Sequence, residues 1–272
     1  MTRRALALTA AATLAITALA AAHDMFLKPA QFFVTERSSL PAVLLNGTFD
    51  KSSNSINRTR IADLSMVGPA GRIRMDTTAW GTAGDTSRIV YATGAAGTYV
   101  FAVSTRPSEI ELDAKDFNGY LKDDGLPDEL ARRTRAGELG QDAKERYSKH
   151  VKAVVQVGDR RSNDFAMVLG YPAEIVPVDN PYAVKIGGTV AMKMLVDGKP
   201  AAGVNVLFGS RSGSGKAAAE RNTRAGADGV ARIPIDGPGV WYVKFISMTR
   251  LGKTTDGVTH ESKWATLTFA VR

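Results

Sequence analysis

After the first two dozen residues, the chain is organised as short runs of alternating or β-branched apolar positions. Val43–Phe49, Arg60–Val67 and Gly97–Val103 are each bounded by Gly, Pro, Asn or Ser, which predicts strands. Val67-Gly68-Pro69-Ala70-Gly71 supplies turn chemistry between two of them, because Pro presets one backbone angle and Gly permits unusual ones. The period then changes. Leu112, Phe117, Tyr120 and Leu121 fall at helical spacing, with Asp113 and Asp116 where a helix start favours negative charge. Pro127, followed by Asp128 and Glu129, predicts the opening of a second short helix. A charge-dense surface segment, 132–146, leads to Val151, Ala153, Val155 and Val157, which alternate along a strand.

Three prolines and an Asn-Pro pair between Tyr171 and Tyr182 mark a boundary. Beyond it the pattern is all β: Thr189–Val196, Val204–Phe208, Val230–Ile235, Gly239–Ile246 and Ala265–Val271. The expected architecture is mainly β, with two β-sandwich domains. Residues 23–170 form the first, carrying a short helical insertion. Residues 171–272 form the second, immunoglobulin- or transthyretin-like.

Residues 1–22 change the picture. Arg3 and Arg4 precede an uncharged run, Ala5–Leu19, and Ala20-Ala21-Ala22 offers small residues for a peptidase. That order predicts a signal peptide cleaved after Ala22, hence a periplasmic protein whose mature chain begins at His23. Removing two arginines lowers the net charge from +8 to +6. The remaining basic residues are scattered without interleaved aromatics, which argues against nucleic acid as a partner. The absence of cysteine excludes disulfides and thiolate metal sites.

Candidate chemistry is sparse. Gly209–Lys216 resembles a phosphate loop, but Ser210 stands where the first glycine is required and Ala217 where a magnesium-holding hydroxyl is required. No Gly-x-Ser-x-Gly elbow is present. Histidine occurs at positions 23, 150 and 260 alone. A mature N-terminal histidine offers an α-amine and an imidazole that together chelate a metal, and imidazole suits copper, nickel and zinc. A second imidazole, from His260 or His150, would complete the site, with Asp24 and Glu261 as oxygen donors or orienting groups. His150, beside Lys152, Val154 and Gln156, is expected to be an ordinary exposed histidine. His260 is expected in a polar loop before the last strand, where a ligand role and a solvated role are equally open.

The mature start His23-Asp24-Met25-Phe26-Leu27-Lys28-Pro29 is similar to the His-Asp-x-aromatic-Leu-x-Pro opening of an exported bacterial family of unknown function, grouped with NikM-type substrate-specific components of nickel uptake. The resemblance continues through 111–121, Glu145–Lys149, Glu174–Pro177, Asn180-Pro181-Tyr182, Gly239-Val240-Trp241 and Glu261–Phe269. It implies a two-part β protein of the periplasm, linked to nickel or cobalt uptake, with an inner- or outer-membrane metal transporter as partner. Members often carry a histidine before the methionine that matches Met248; here that position is Ser247. The leading expectation is a non-enzymatic protein that binds nickel, cobalt or copper through His23, Asp24, and His260 or His150. The alternative is an envelope scaffold module that binds a protein or polysaccharide. An oxidative copper enzyme ranks last, for want of a second placed imidazole and an aromatic binding face.

Overall fold

The computed structural model describes residues 23–252, 254 and 256–272. The signal peptide expected over residues 1–22 lies outside the described residues. Nine strands come first: β1 (Asp24–Pro29), β2 (Phe33–Val34), β3 (Ser39–Gly47), β4 (Ile61–Gly68), β5 (Gly71–Arg74), β6 (Trp80–Ala83), β7 (Thr86–Ala92), β8 (Gly97–Thr105) and β9 (Ser108–Leu112). Helices α1 (Ala114–Asp123) and α2 (Pro127–Ala136) follow. Then come β10 (Ala143–Val157), β11 (Ala173–Pro177), β12 (Thr189–Val196), β13 (Lys199–Pro200), β14 (Asn205–Arg211), β15 (Arg221–Arg224), β16 (Val230–Pro234), β17 (Gly239–Arg250) and β18 (His260–Val271).

Among the described residues the fold is mainly β and sandwich-like, in three sheets. The largest, of ten strands, runs β15-β14-β17-β18-β10-β8-β4-β5, with β2 and β9 also paired to β10. A four-stranded sheet, β1-β3-β7-β6, and a second one, in which β12 pairs β11, β13 and β16, complete the set. Strands β10 and β18 run parallel over nine residue pairs, from Glu145–His260 to Ala153–Thr268. The segments before and after the proline-rich boundary therefore share one sheet.

Strand β10 is buried on both faces. Val151, Ala153, Val155 and Val157 pack with Leu27, Leu44, Ile89 and Phe101. Val154 points the other way, into a core with Ile175, Met192, Phe245 and Leu267. A strand covered on both sides cannot show a solvent face. This corrects the expectation for His150, which is buried at 2 % exposure, as is Lys152 beside it.

Both helices form where expected. The Asp113 carboxylate accepts from the Asp116 N–H at 2.7 Å, which caps α1. Pro127 opens α2, with Asp128 and Glu129 in its first turn. Phe117, Tyr120, Leu121 and Leu126 pack onto Trp264 and Ile246 of the large sheet. Thr266 and Thr268 of β18 donate to the carbonyls of Met25 and Leu27 at 2.7 and 2.5 Å. Trp264 lies on that same face of β18. The helical insertion and β1 thus sit side by side on one face of the large sheet, with a seam between them.

Candidate functional site

Charged side chains converge on that seam. Lys244 interrupts the apolar run Val243–Phe245. Its neighbours enter the core opposite, while Lys244 faces the seam between Tyr242 and Ile246. Its Nζ lies 2.5 Å from Asp24 Oδ2, 3.4 Å from Glu220 Oε2 and 3.8 Å from Asp124 Oδ1. The Tyr242 hydroxyl donates to Glu220 at 2.9 Å. Burial opposes the Lys244 charge, but Asp24, Glu220 and Asp124 outweigh it and hold the ammonium above the usual lysine range.

Lys149 of β10 is the second cation. It donates to the His23 carbonyl and, at 3.1 Å, to Asn46 Oδ1, and it sits 5.2 Å from the Trp264 ring centre. Burial pushes it down to about 8, against the pull of Asp24, Asp124 and Glu145. Burial, then the neighbouring Asp24, pushes the Asp124 carboxyl up to about 8. Glu145, 1 % exposed, accepts from Tyr120 and Ser262 through Oε1 and is also raised by burial. Ionisable groups perturbed by burial and by one another cluster at functional sites and at structural ion networks alike.

Asp124 owes its place to the glycine after it. Gly125 adopts φ +75°, and a Cβ there would lie 2.3 Å from Leu207 Cδ1. Gly125→Ala is expected to cost about 1–3 kcal/mol, since a non-glycine residue is strained in the left-handed region. Denaturant unfolding of the variant checks this; an unchanged midpoint would mean that the chain after α1 adapts freely.

The sequence-predicted metal residues do not assemble. Burial, then Lys149, lowers the His23 imidazole, so it is neutral at pH 7. Its neighbour Asp24 is engaged by Lys244. His260 is not in a loop: it opens β18, 1 % exposed, with Nδ1 2.8 Å from Thr259 Oγ1 and Nε2 donating to Glu129 Oε1 at 3.1 Å. It precedes Trp264 by four residues, about 13 Å of strand, whereas the Lys149 that holds His23 sits over Trp264. Glu261 alternates to the face opposite His260. His150 lies on the face opposite Lys149, between the hydroxyls of Ser104 at 2.8 Å and Ser148 at 3.0 Å, and burial pushes it down to about 3. Among the described residues no group of three or more His, Asp or Glu is arranged to hold a metal ion. Where three carboxylates do converge, the Lys244 ammonium takes the cation's place. A metal does not fit these residues as they stand.

Lys149, Lys244, Asp124 and Glu220 escaped sequence reasoning. The lysines did leave a signal: each interrupts or extends an apolar strand where a solvated lysine has no reason to be. The carboxylates left none, because their partners come from distant segments.

A cleft of about 780 Å³ lies elsewhere, between β3, β2 and the ends of β10 and β18. Gln31, Thr35, Ser38, Ser39 and Gln156 line it with amides and hydroxyls, and the Arg272 guanidinium stands 3.5 Å from the Phe33 ring centre. A smaller cavity of about 380 Å³ beside α2 is lined by Asp128, Glu129, Arg132 and Ser247. Among the described residues, no helix is long and apolar enough to cross a membrane.

Fold and site together define a multi-sheet β protein with a buried ionic node and an open polar cleft. The chain belongs to the family described as domain of unknown function DUF4198, whose model matches residues 20–249. This agrees with the family of unknown function that its motifs resemble. No curated protein matches it. Among solved structures, the BSP domain of a biofilm-associated protein aligns at 10 % identity and a TM-score of 0.18, covering 89 % of this chain and 29 % of that one.

Proposed function

We propose that this protein is an exported, non-catalytic binding module of the cell envelope, and that the cleft beside β3 takes an extended ligand rich in hydroxyls and amides. The observation that carries this reading is the cleft itself: 780 Å³, open, and lined by the amides and hydroxyls of Gln31, Thr35, Ser38 and Ser39, with Glu36, Asp159 and Arg272 as its charged groups. Polar grooves of that kind match a polysaccharide or an extended peptide by direct and water-mediated hydrogen bonds. The non-catalytic reading is supported by the histidines. His150 and His260 are within hydrogen-bond reach of hydroxyl or carboxylate groups, but both imidazoles are buried, at 2 % and 1 % exposure. Nickel, cobalt or copper handling, with a transporter as partner, is the weaker reading, because Lys149 and Lys244 occupy the surroundings of His23 and Asp24.

Ser39 is exposed on the cleft wall, so Ser39→Trp fills the cleft without entering the core. Calorimetry with purified envelope polysaccharides and peptides should find a ligand for the native protein. Its affinity should fall roughly tenfold or more in Ser39→Trp, about 1.4 kcal/mol. Undiminished binding in that variant would move the site elsewhere.

A further inference from the structure

The ionic node gathers more carboxyl groups than cationic side chains. Asp24, Asp124 and Glu220 surround Lys244, Glu145 lies buried within range of Lys149, and the cations among them are those two lysines with Arg60 on the side of Lys149. Four buried side-chain polar atoms among the described residues have no hydrogen-bond partner, and two of them belong to this node: Asp24 Oδ1 and Glu145 Oε2. Glu145 is 1 % exposed. A buried carboxylate oxygen left without a donor is costly and calls for one. One of the two orphaned oxygens belongs to Asp24, so a donor is wanted there.

His23 is the residue before Asp24, and its carbonyl is already fixed by Lys149. Backbone bond lengths keep its nitrogen within roughly 3.5 Å of that oxygen. In a chain that continues to Ala22 this nitrogen is an uncharged amide. Hydrolysis of the Ala22–His23 bond adds water across it. The carboxylate leaves with Ala22, and the nitrogen takes up a proton and becomes an ammonium. We infer that this new α-ammonium of His23 is the missing cation of the node, docking against Asp24 and Asp124, so that removal of the signal peptide locks β1 into the seam between the sheets and the helical insertion. The inference rests on the export reading of residues 1–22. It is supported by the raised Asp124 carboxyl, which holds a proton near neutrality where no further cation is at hand. It also deepens the misfit of a metal: an ammonium engaged by carboxylates has no lone pair to give.

The experiment uses the chain exported with its own leader. A Gly-Ser insertion directly after Ala22 preserves the cleavage site and moves the amine two residues from the node. Three measurements follow on both proteins: N-terminal sequencing, the rate of α-amine labelling at pH 7, and the thermal midpoint. A docked ammonium is expected to label roughly tenfold or more slowly than the displaced one, as a rise of one pKa unit implies. The protein that begins at His23 should also melt higher, with Asp124→Asn shrinking both differences. A start other than His23 would overturn the cut after Ala22, and the docking with it, and an uncleaved chain would overturn the export reading as well. A confirmed His23 start with equal labelling rates and midpoints would overturn the docking alone. Tight copper or nickel binding that slows labelling only when metal is present would also overturn it, in favour of chelation by the free amine.

Discussion

Lys152→Met is expected to destabilise the fold by about 3–5 kcal/mol, the usual cost of orphaning a buried charge. Lys152 and Glu174 form an ion pair with side chains 2 % and 1 % exposed, in the core between the large sheet and β11. The Glu174 carboxylate also accepts from the backbone N–H groups of Leu169 at 2.7 Å, Gly170 at 3.1 Å and Tyr171 at 3.4 Å. Without Lys152 its charge remains, held only by amide dipoles. Adding Glu174→Gln to Lys152→Met should recover most of the loss, because the amide oxygen still accepts from those N–H groups and no charge is left unbalanced. Denaturant unfolding of the native protein, both single variants and the double variant closes the cycle. A loss below about 1 kcal/mol in Lys152→Met would mean that water reaches Glu174 and that the pair is not truly desolvated.

Lys244→Met should be comparably damaging, about 3–5 kcal/mol by the same principle, and its cost should depend on pH. Burial has already raised the folded Asp124 carboxyl from an ordinary value near 4 to about 8. Below its unfolded value that group binds a proton in both states and costs nothing. Between about 4 and 8 the folded state binds more protons than the unfolded one, so stability falls as pH rises. Lys244 opposes the shift, since its charge favours ionised Asp124. Removing it pushes Asp124 further up, which leaves the slope below about pH 8 unchanged and carries the loss on to higher pH. The variant should therefore fall further behind the native protein above about pH 8, whereas Lys244→Arg, which keeps the charge, should show no such divergence. Thermal midpoints on both sides of that pH test this. A cost independent of pH would show that Lys244 acts through packing of its aliphatic stem rather than through its charge.

Both variants concern lysines inside strands, and this is where sequence and structure part company. Strand periodicity located β12 at Thr189–Val196, and the observed strand has the same bounds. It also located both helices, because Asp113, Pro127 and the spacing of Phe117, Tyr120 and Leu121 are local signals. The mainly β class and the helical insertion were legible for the same reason: propensity, capping and period act over a few residues.

Pairing across the chain was not legible. That β10 lies parallel to β18, more than a hundred residues away, is decided by which sheets cover its two faces. Those covers turned His150 from an exposed residue into a buried one and drew His260 into a strand. They also separated His23, His150 and His260, the three residues whose chemistry had suggested a shared metal. Conversely, Asp24, Asp124, Lys149, Glu220 and Lys244 come from five separate segments, and each alone looks like ordinary surface charge. The sequence by itself determined the elements, and marked His23 as the residue a signal peptidase would expose. Only the tertiary structure decided what surrounds that residue, because burial and charge pairing depend on neighbours that the order of residues does not name.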